Sequence, residues 1–378
     1  MRKQGIDYET EKEEAETIPV SAEVVRRLFF NFFCKRKPDF LLINFNRNKF
    51  LMVVPATHQF ALGIDIGGTN TIFGIVDSRG DIKYRGAIST NKYDNVTDYI
   101  EALYEAVKPA LDLINGDELI RGIGIGAPNG NYYTGAIEYA PNLKWKGIIP
   151  FADLITAKFG LPSALTNDAN AAAVGEMMYG AARGMKDFIM ITLGTGVGSG
   201  IVANGQVVYG HDGFAGELGH TIIIPNGRLH RGTGMRGSLE TYASATGVKL
   251  TAIEMLSKYP NEPSLLRNYK EEEIDSRKVY DCAILGDKIA NEIYKFTGEI
   301  LGKALANFIM FSSPEAIILF GGLCKAGDLL TIPTLKHMEA NVLPIYQNKV
   351  KLIFSELKEA DAAILGASAL VWESKKPS

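Results

Sequence analysis

Two glycine-rich loops carry residue types and spacing that could bind phosphate groups. Gly67-Gly68-Thr69-Asn70 follows one apolar run, and Gly194-Thr195-Gly196-Val197-Gly198 follows another. Glycines at the end of a strand let the backbone approach a phosphate closely and point its N–H groups at the oxygens. Each loop alone is weak evidence, and neither matches the Walker A or dinucleotide patterns, which require a helix directly after the loop. As a pair in similar surroundings, the loops predict a two-sided phosphate clamp.

Two aspartates next to these features could take part in phosphoryl transfer. Asp65 precedes the first loop, where it could cap the turn or be an oxygen ligand of Mg²⁺, directly or through water; we favour the ligand. Asp168 follows Asn167 at the start of an alanine-rich helix. It could be an N-cap, and it could also accept the proton of a hydroxyl that attacks a phosphorus atom. The two roles of Asp168 are compatible.

The two loops belong to an internal repeat of strand, glycine loop, strand, tight turn and strand. The first unit is predicted to have strands at 60–66, 71–76 and 82–87, and the second begins at Phe188 and turns at Asn204-Gly205. Asn-Gly between apolar runs is a strong signal for a β-hairpin. The repeat therefore predicts two similar domains that close on a nucleotide between them.

Apolar runs alternate with helical stretches over the rest of the chain, a pattern typical of an α/β fold. Further strands are predicted at 120–125 and 316–320. Helices are predicted at 96–114, 152–159, 169–182 and 284–308, with a last helix after Asp361. The longest helix has an apolar stripe at spacings of three and four residues, formed by Ile289, Ile293, Phe296, Ile300 and Leu301.

Composition argues against several classes of protein. The chain has 378 residues, enough for two packed domains, and its net charge of −3 gives no case for nucleic acid as the main partner. No apolar run approaches the roughly 20 residues that span a bilayer, and the charged N-terminus predicts no signal peptide. The three cysteines (Cys34, Cys282 and Cys324) lie far apart, which favours a reducing, cytoplasmic setting.

Residues 1–59 differ from the rest of the chain. An acidic run at 11–16 is followed by aromatic and basic residues without a clear period. A DNA-binding helix-turn-helix would need two well-formed helices joined by a short turn, which this stretch lacks. We therefore expect a poorly ordered or dispensable extension, or a natural start at Met52.

Seven short motifs carry a resemblance to a known family. In chain order they are Asp65-Ile66-Gly67-Gly68-Thr69, Gly124-Ile125-Gly126-Ala127-Pro128, Ala140-Pro141-Asn142-Leu143 with Trp145, Asn167-Asp168, Leu193-Gly194-Thr195-Gly196-Val197-Gly198, Gly216-Glu217-Leu218-Gly219-His220 and Gly321-Gly322. In this order they resemble the ROK family (repressors, open reading frames, kinases), and within it the glucokinase-like branch. The resemblance extends from about residue 60 to the C-terminus.

The resemblance implies an α/β fold of two RNase H-like domains, of the actin/hexokinase ATPase type, with a cleft between them. The smaller domain would span 60–165, completed by a C-terminal helix at 361–376, and the larger would span 166–360. It also implies a cytoplasmic sugar kinase of glycolysis that uses ATP and Mg²⁺ and forms a dimer or tetramer. Glucose is the expected substrate, with N-acetylmannosamine, N-acetylglucosamine or fructose as alternatives. A sugar-sensing transcriptional regulator without enzymatic activity is the alternative class.

The resemblance also implies roles for individual residues, with Asp168 as the catalytic base. The sugar would be bound by Asn142, Asn167, Asp168, Glu217, His220 and Glu240. The nucleotide and its Mg²⁺ would be bound by Asp65, Gly67, Gly68, Thr69, Asn70, Gly194, Thr195, Gly196, Gly198, Gly321 and Gly322. Glu217 and His220 could instead lie on a solvent-facing loop, and Gly321-Gly322 could be a plain turn at the end of a strand.

The chain departs from the family pattern in one respect. Many relatives have a cysteine-rich zinc loop after the histidine that corresponds to His220, but here the cysteine positions hold Arg231, Thr233 and Ser238. His220 and His230 alone are too few ligands for a structural zinc ion. We therefore predict no structural zinc and expect packing to hold the loop at 221–237.

Overall fold

Two five-stranded sheets, each built around a strand that ends in one of the glycine loops, organise the part of the chain that the structure describes. The structure is a computed structural model, and it describes residues 59–114 and 119–373. The predicted extension at 1–59 lies outside the described residues, apart from Gln59. No helix of the described residues is long and apolar enough to cross a membrane.

The first sheet has the strand order β3-β2-β1-β4-β7. Its strands are β1 (Phe60–Ile66), β2 (Asn70–Asp77), β3 (Ile82–Ser89), β4 (Ile120–Gly126) and β7 (Ser163–Thr166). The first three strands are antiparallel, whereas β4 and β7 run parallel to β1. A separate two-stranded sheet is formed by β5 (Ile137–Glu138) and β6 (Ile148–Ile149).

The second sheet repeats the same order and directions, as β10-β9-β8-β11-β12. Its strands are β8 (Phe188–Leu193), β9 (Val197–Ala203), β10 (Gln206–Val207), β11 (Ala316–Phe320) and β12 (Lys351–Phe354). The repeated strand–loop–strand unit predicted from the sequence therefore corresponds to β1–β3 and β8–β10. In both sheets the glycine loop joins the central strand to its antiparallel neighbour.

Nine α-helices cover the sheets within the described residues. They are α1 (Val96–Leu113), α2 (Phe151–Phe159), α3 (Asp168–Tyr179), α4 (Glu240–Ala243), α5 (Ala245–Lys258), α6 (Ser276–Ile284), α7 (Lys288–Ser312), α8 (Asp328–Ala340) and α9 (Glu359–Glu373). The first sheet shares a core with α1 and α2. The second shares a core with helices α4 to α8.

Two of the predicted helices were placed incorrectly. The helix predicted at 284–308 is α7 at Lys288–Ser312, because Gly286 takes a positive φ and Asp287 caps a new helix through the N–H of Ala290. Ile284 ends the preceding helix, α6. The helix predicted at 169–182 is α3, which ends at Tyr179 before Gly180. The apolar stripe of α7 is confirmed, since four of its five residues are buried and Phe296 is half-buried.

Helices α9 and α3 lie between the two sheets. Gly63 of β1 and Gly124 of β4 leave space for α9: a Cβ atom on Gly124 would lie 1.8 Å from the carbonyl oxygen of Ala367. On the other side, α9 meets α3 where Gly366 faces Gly175. The other face of α3 packs against β9, where a Cβ on Gly200 would lie 2.8 Å from that of Ala173. Helix α3, which begins with Asp168, is therefore held between rigid elements.

Candidate functional site

The first glycine loop joins β1 to β2 in a tight turn. The N–H of Gly67 donates to the carbonyl oxygen of Asn70 at 2.9 Å. A side chain at Gly68 could not be accommodated, because its Cβ would lie 2.8 Å from the carbonyl oxygen of Asn142. The following residues, Thr69 and Asn70, are exposed. The loop therefore leaves the hydroxyl and amide side chains at a solvent-accessible edge, and it places Asn142 directly beside Gly68.

The second glycine loop joins β8 to β9 and is braced by α5. The carbonyl oxygen of Gly194 accepts the N–H of Ala245 at 2.8 Å, and that of Thr195 accepts the hydroxyl of Thr246 at 2.9 Å. Gly196 lies against Glu240, since a Cβ on Gly196 would be 2.3 Å from Oε2 of Glu240. The loop therefore links a predicted phosphate-binding element to a predicted sugar ligand.

Asp65 and Asp168 lie on either side of Gly126. A Cβ built on Gly126 would be 3.2 Å from Oδ1 of Asp65 and 3.8 Å from Cα of Asp168. Burial, followed by repulsion from Asp168, raises the pKa of Asp65 to about 7. A carboxylate with these surroundings gains from a nearby cation, which fits the predicted Mg²⁺ ligand.

Two neighbouring residues at the start of α3, Asn167 and Asp168, have different roles. Asn167 is the N-cap, because its Oδ1 accepts the N–H of Asn170 at 2.7 Å. Asp168 is the first residue of the helix, and its Oδ1 accepts the N–H of Ala169. Asp168 is exposed, but the surrounding protein displaces enough water to raise the pKa of its carboxyl group. The capping role considered for Asp168 therefore belongs to Asn167, and the Asp168 carboxylate is left at the edge of the cleft.

Glu217 and His220 belong to a short 3₁₀ turn, Leu218–His220, with Glu217 at its N-cap position. Nε2 of His220 lies 3.8 Å from Oε2 of Glu217. The pKa of Glu217 is raised, first by loss of water and then by repulsion from Asp168 and Glu240, while His220 opposes the shift. Asp168 and Glu240 are therefore close enough for their charges to act on Glu217.

Glu240 begins α4 and is hydrogen-bonded at both carboxylate oxygens. Its Oε2 accepts the N–H of Val197 at 2.7 Å, and its Oε1 lies 2.7 Å from Nε2 of His230. The side chains of His230 and Glu240 are 23% and 17% exposed. The contact between them joins the loop at 221–237 to the second glycine loop.

The positions of the expected zinc loop hold no cysteine in this chain. Arg231, Thr233 and Ser238 stand at the cysteine positions and offer no thiolate. A different set, His220, His230 and Glu240, brings ligand atoms within 4.8 Å of one another and could hold a metal ion. Nδ1 of His220 is buried and has no hydrogen-bond partner among the described residues. The sequence indicated only two candidate metal ligands, His220 and His230. The fold adds Glu240 as a third.

The loop at 221–237 is held by hydrogen bonds as well as by packing. The guanidinium of Arg228 donates to both carboxylate oxygens of Glu254, at 2.8 and 2.6 Å. It also donates to the carbonyl oxygens of Thr241 and Gly247, and it lies 4.5 Å from the ring centre of Tyr242. The expectation that packing alone holds the loop is therefore incomplete, because Arg228 connects it to helices α4 and α5.

A cavity of about 500 Å³ opens beside the second glycine loop. It is lined by Gly194, Thr195, Ala245, Ser276, Arg277, Tyr280, Asp281, Tyr294, Gly322, Leu323, Lys325 and Ala326. Gly321, at the end of β11, has a φ of 107° and packs against the backbone of Leu193. The turn at Gly321-Gly322 therefore brings Gly322 into the same cavity as the predicted phosphate loop.

The predicted site residues thus fall into two connected groups. Asp65, the first loop, Asn142 and Asp168 lie together, and the second loop connects Glu240 to the cavity that Gly322 lines. Sequence reasoning missed the residues that α6 contributes to this cavity: Ser276, Arg277, Tyr280 and Asp281. No glycine motif marks them, and they lie some distance along the chain from Thr195.

Comparisons with known proteins identify relatives over nearly all of the described residues. The model of the ROK family matches residues 61–374. A glucokinase of Halalkalibacterium halodurans is 37% identical over 322 residues, which cover 83% of this chain and 95% of the relative. A putative xylose repressor of Caldicellulosiruptor sp. is 28% identical over 330 residues, covering 86% of this chain and 81% of its own length.

A solved structure shows the same architecture. The crystal structure of a ROK family glucokinase from Streptomyces griseus in complex with glucose and AMPPNP has a TM-score of 0.69 and 30% sequence identity. The alignment covers 83% of this chain and all of that chain.

These findings first define a class of protein. The two α/β domains, each with a glycine loop, have the fold of the actin/hexokinase class. Because the family model and the glucokinase relative each cover most of the chain, the chain belongs to the ROK family, in its glucokinase-like branch. Together with the paired glycine loops, these likenesses support an ATP-dependent sugar kinase.

Proposed function

We propose that the protein transfers the γ-phosphoryl group of ATP to glucose, forming glucose 6-phosphate, with Asp168 as the general base. The observation that carries this proposal is the position of Asp168. It begins a helix held between the two sheets, near Asp65, and its charge acts on Glu217 together with that of Glu240. A carboxylate with a raised pKa, placed between phosphate-binding and hydroxyl-binding groups, suits removal of a hydroxyl proton during in-line attack.

On this proposal, the glycine loops of both sheets contribute to binding ATP. The N–H groups and side chains of Gly67, Gly68, Thr69 and Asn70 would meet the phosphates from one side, and Gly194, Thr195, Gly196 and Gly198 would meet them from the other. Gly321 and Gly322 would pass beside the adenosine in the cavity at α6. Asp65 would hold Mg²⁺, through water or directly, and the ion would neutralise charge on the phosphates.

The sugar would be held beside Asp168. Asn142, Asn167, Glu217, His220 and Glu240 supply amide, carboxylate and imidazole groups, which accept or donate hydrogen bonds in fixed directions and so orient a polyol. Glucose is favoured by the glucokinase relative. N-acetylmannosamine, N-acetylglucosamine and fructose are the alternative acceptors, because a few contacts at one or two carbons decide between such sugars.

The test is Mg-ATP-dependent release of ADP with glucose, mannose, fructose, N-acetylglucosamine and N-acetylmannosamine. We expect turnover with glucose and a loss of at least about 100-fold in kcat for Asp168→Asn, with sugar binding retained. Asp153→Asn is the matched control, because Asp153 is also an exposed aspartate in the first turn of a helix, α2, that contributes no predicted site residue. Equal turnover in wild type and Asp168→Asn would refute the assignment of the base.

A sugar-sensing regulator is the second candidate, and the xylose repressor relative is the observation that favours it. Such a protein would bind a sugar without releasing ADP. Absence of turnover on every sugar of the panel, with one sugar still bound, would support this candidate over the kinase.

We further propose a cytoplasmic protein that works as a dimer or tetramer, with sugar and ATP as its ligands and without nucleic acid. The ATP donor and the three widely spaced cysteines favour the cytoplasm. We also propose that the protein carries no structural zinc, since the loop at 221–237 lacks the thiolates of its relatives. Metal analysis of the purified protein and light scattering test these points.

A further inference from the structure

The contact between His230 and Glu240 has a defined direction. Nδ1 of His230 accepts the backbone N–H of Thr233 at 3.2 Å and lies 2.7 Å from the hydroxyl of the same residue. An N–H group can only donate, so Nδ1 is the unprotonated nitrogen and Nε2 carries the proton. Nε2 of His230 therefore donates to Oε1 of Glu240 at 2.7 Å.

Glu240 is consequently held at both ends of its carboxylate. Oε1 accepts from the loop at 221–237, and Oε2 accepts the N–H of Val197 from the second glycine loop. The carboxylate lies where a side chain at residue 196 would stand, since a Cβ on Gly196 would be 2.3 Å from Oε2. Because charge-assisted hydrogen bonds are stronger than neutral ones, the two bonds fix one orientation of the carboxylate.

We propose that His230 is the positioning residue for Glu240, and that it stabilises the sugar-binding orientation of this carboxylate in a chain that lacks the thiolate ligands of its relatives. The proposal rests on the proposed function, because it takes Glu240 as a sugar ligand. His230 itself acts through Glu240. Thr233, at one of the former cysteine positions, orients the imidazole ring.

A bound metal ion at His220, His230 and Glu240 would require a different arrangement. The metal would need the lone pair of Nε2, so the proton would move to Nδ1 and the N–H of Thr233 would lose its acceptor. The observed contacts therefore favour the directly hydrogen-bonded pair. Zinc binding by these three residues is one outcome that the experiment must detect.

The experiment measures glucose binding to the full chain without nucleotide, by isothermal titration calorimetry, together with steady-state kinetics. We expect His230→Ala to weaken glucose binding about tenfold, as expected for loss of a hydrogen bond to a charged group. KM for glucose should rise by a similar factor, while KM for ATP stays within about twofold, because Val197 still holds Oε2. His230→Gln can donate from Nε2 and should restore most of the affinity.

Matched variants separate the possible outcomes. His211→Ala, at an exposed histidine, should leave glucose binding unchanged. If Glu240→Gln abolishes binding and His230→Ala does not weaken it, the positioning role of His230 is wrong. If neither variant changes binding, Glu240 is not a sugar ligand. The proposed sugar site is then wrong at Glu240, and so is the positioning role of His230. If treatment with EDTA abolishes glucose binding by the wild type and Zn²⁺ restores it, a metal ion orients Glu240 and the proposal is overturned.

Discussion

The carboxyl groups of Asp65 and Asp168 lie close enough across Gly126 for the charge of Asp168 to help raise the pKa of Asp65 to about 7. Burial makes the larger contribution. Two acids that lie near each other are unfavourable for stability when both are ionised. The arrangement is therefore suited to a cation and to a transferred proton, and it makes the ligand-free protein sensitive to pH.

Asp65→Asn should stabilise the protein in a pH-dependent way. The folded-state pKa lies above the unfolded value of 3.8, so the folded protein binds the proton more tightly and loses stability as pH rises from about 4 to about 7. Asparagine removes this penalty. We expect Tm to rise by a few degrees at pH 8 in EDTA, and the gain should shrink toward pH 4.

Differential scanning calorimetry at pH 4, 5 and 8 checks this expectation. Asp112→Asn, at an exposed carboxylate of α1, is the control and should change Tm equally at all three values. A gain from Asp65→Asn that does not depend on pH would show that Asp65 is not the buried acid described above.

The pH profile of kcat/KM should show an acid limb that responds to magnesium. Because the pKa of Asp168 is raised, the base becomes protonated at a higher pH than an ordinary carboxyl group. If Asp65 is the Mg²⁺ ligand as proposed, the ion stabilises its ionised form, so a higher Mg²⁺ concentration should move the limb to lower pH. Initial rates from pH 5 to 8 at two Mg²⁺ concentrations measure this shift. A limb that stays in place would argue against Asp65 as the Mg²⁺ ligand.

Much of the fold could be predicted because local signals mark it. Strands β1 and β4 were predicted within about two residues, and a glycine loop marks the end of β1. The start of α7 was missed although Gly286-Asp287 carries a standard break and N-cap signal, because the apolar period continues through Ile284. A pattern that runs across two helices does not show where one of them ends.

The site was predictable only where a motif marks it. Asp65, Asp168 and Glu240 each adjoin glycine-rich or capping sequences. Arg277 and Tyr280 line the cavity only because α6 packs beside the second loop, a long-range contact that no local pattern encodes. Arg228 was missed for the same reason, since its partners lie on α4 and α5.

Gly196→Ala should weaken sugar binding even without nucleotide. Its Cβ would lie 2.3 Å from Oε2 of Glu240, so either the carboxylate or the loop must shift. We expect glucose affinity to fall by about tenfold or more, since the hydrogen bond from Val197 is also disturbed. Gly194→Ala is the matched control, because no described atom lies within 4 Å of a Cβ at that position. Calorimetric titration with glucose should give the wild-type affinity for Gly194→Ala. Unchanged affinity in Gly196→Ala would refute the link between this loop and the sugar ligand.

Arg228 should contribute more to stability than the ion pair it forms with Glu254. Glu254 is 58% exposed, and exposed ion pairs contribute at most about 1 kcal/mol, so Glu254→Gln should cost less than that in the free energy of unfolding. Arg228→Met keeps an apolar stem but leaves the carbonyl oxygens of Thr241 and Gly247 without this donor. It also loses the cation over the ring of Tyr242. We expect a cost of about 2–3 kcal/mol from these changes.

Urea unfolding of the two single variants and the double variant separates these contributions. In the double variant, the cost should be close to that of Arg228→Met alone, because Glu254 has lost its partner already. Equal costs for the two single variants would mean that the ion pair with Glu254, rather than the contacts to Thr241, Gly247 and Tyr242, stabilises the loop. The stability contributed by Arg228 would then decrease at high salt concentration. Repeating the unfolding in 1 M NaCl would reveal this decrease.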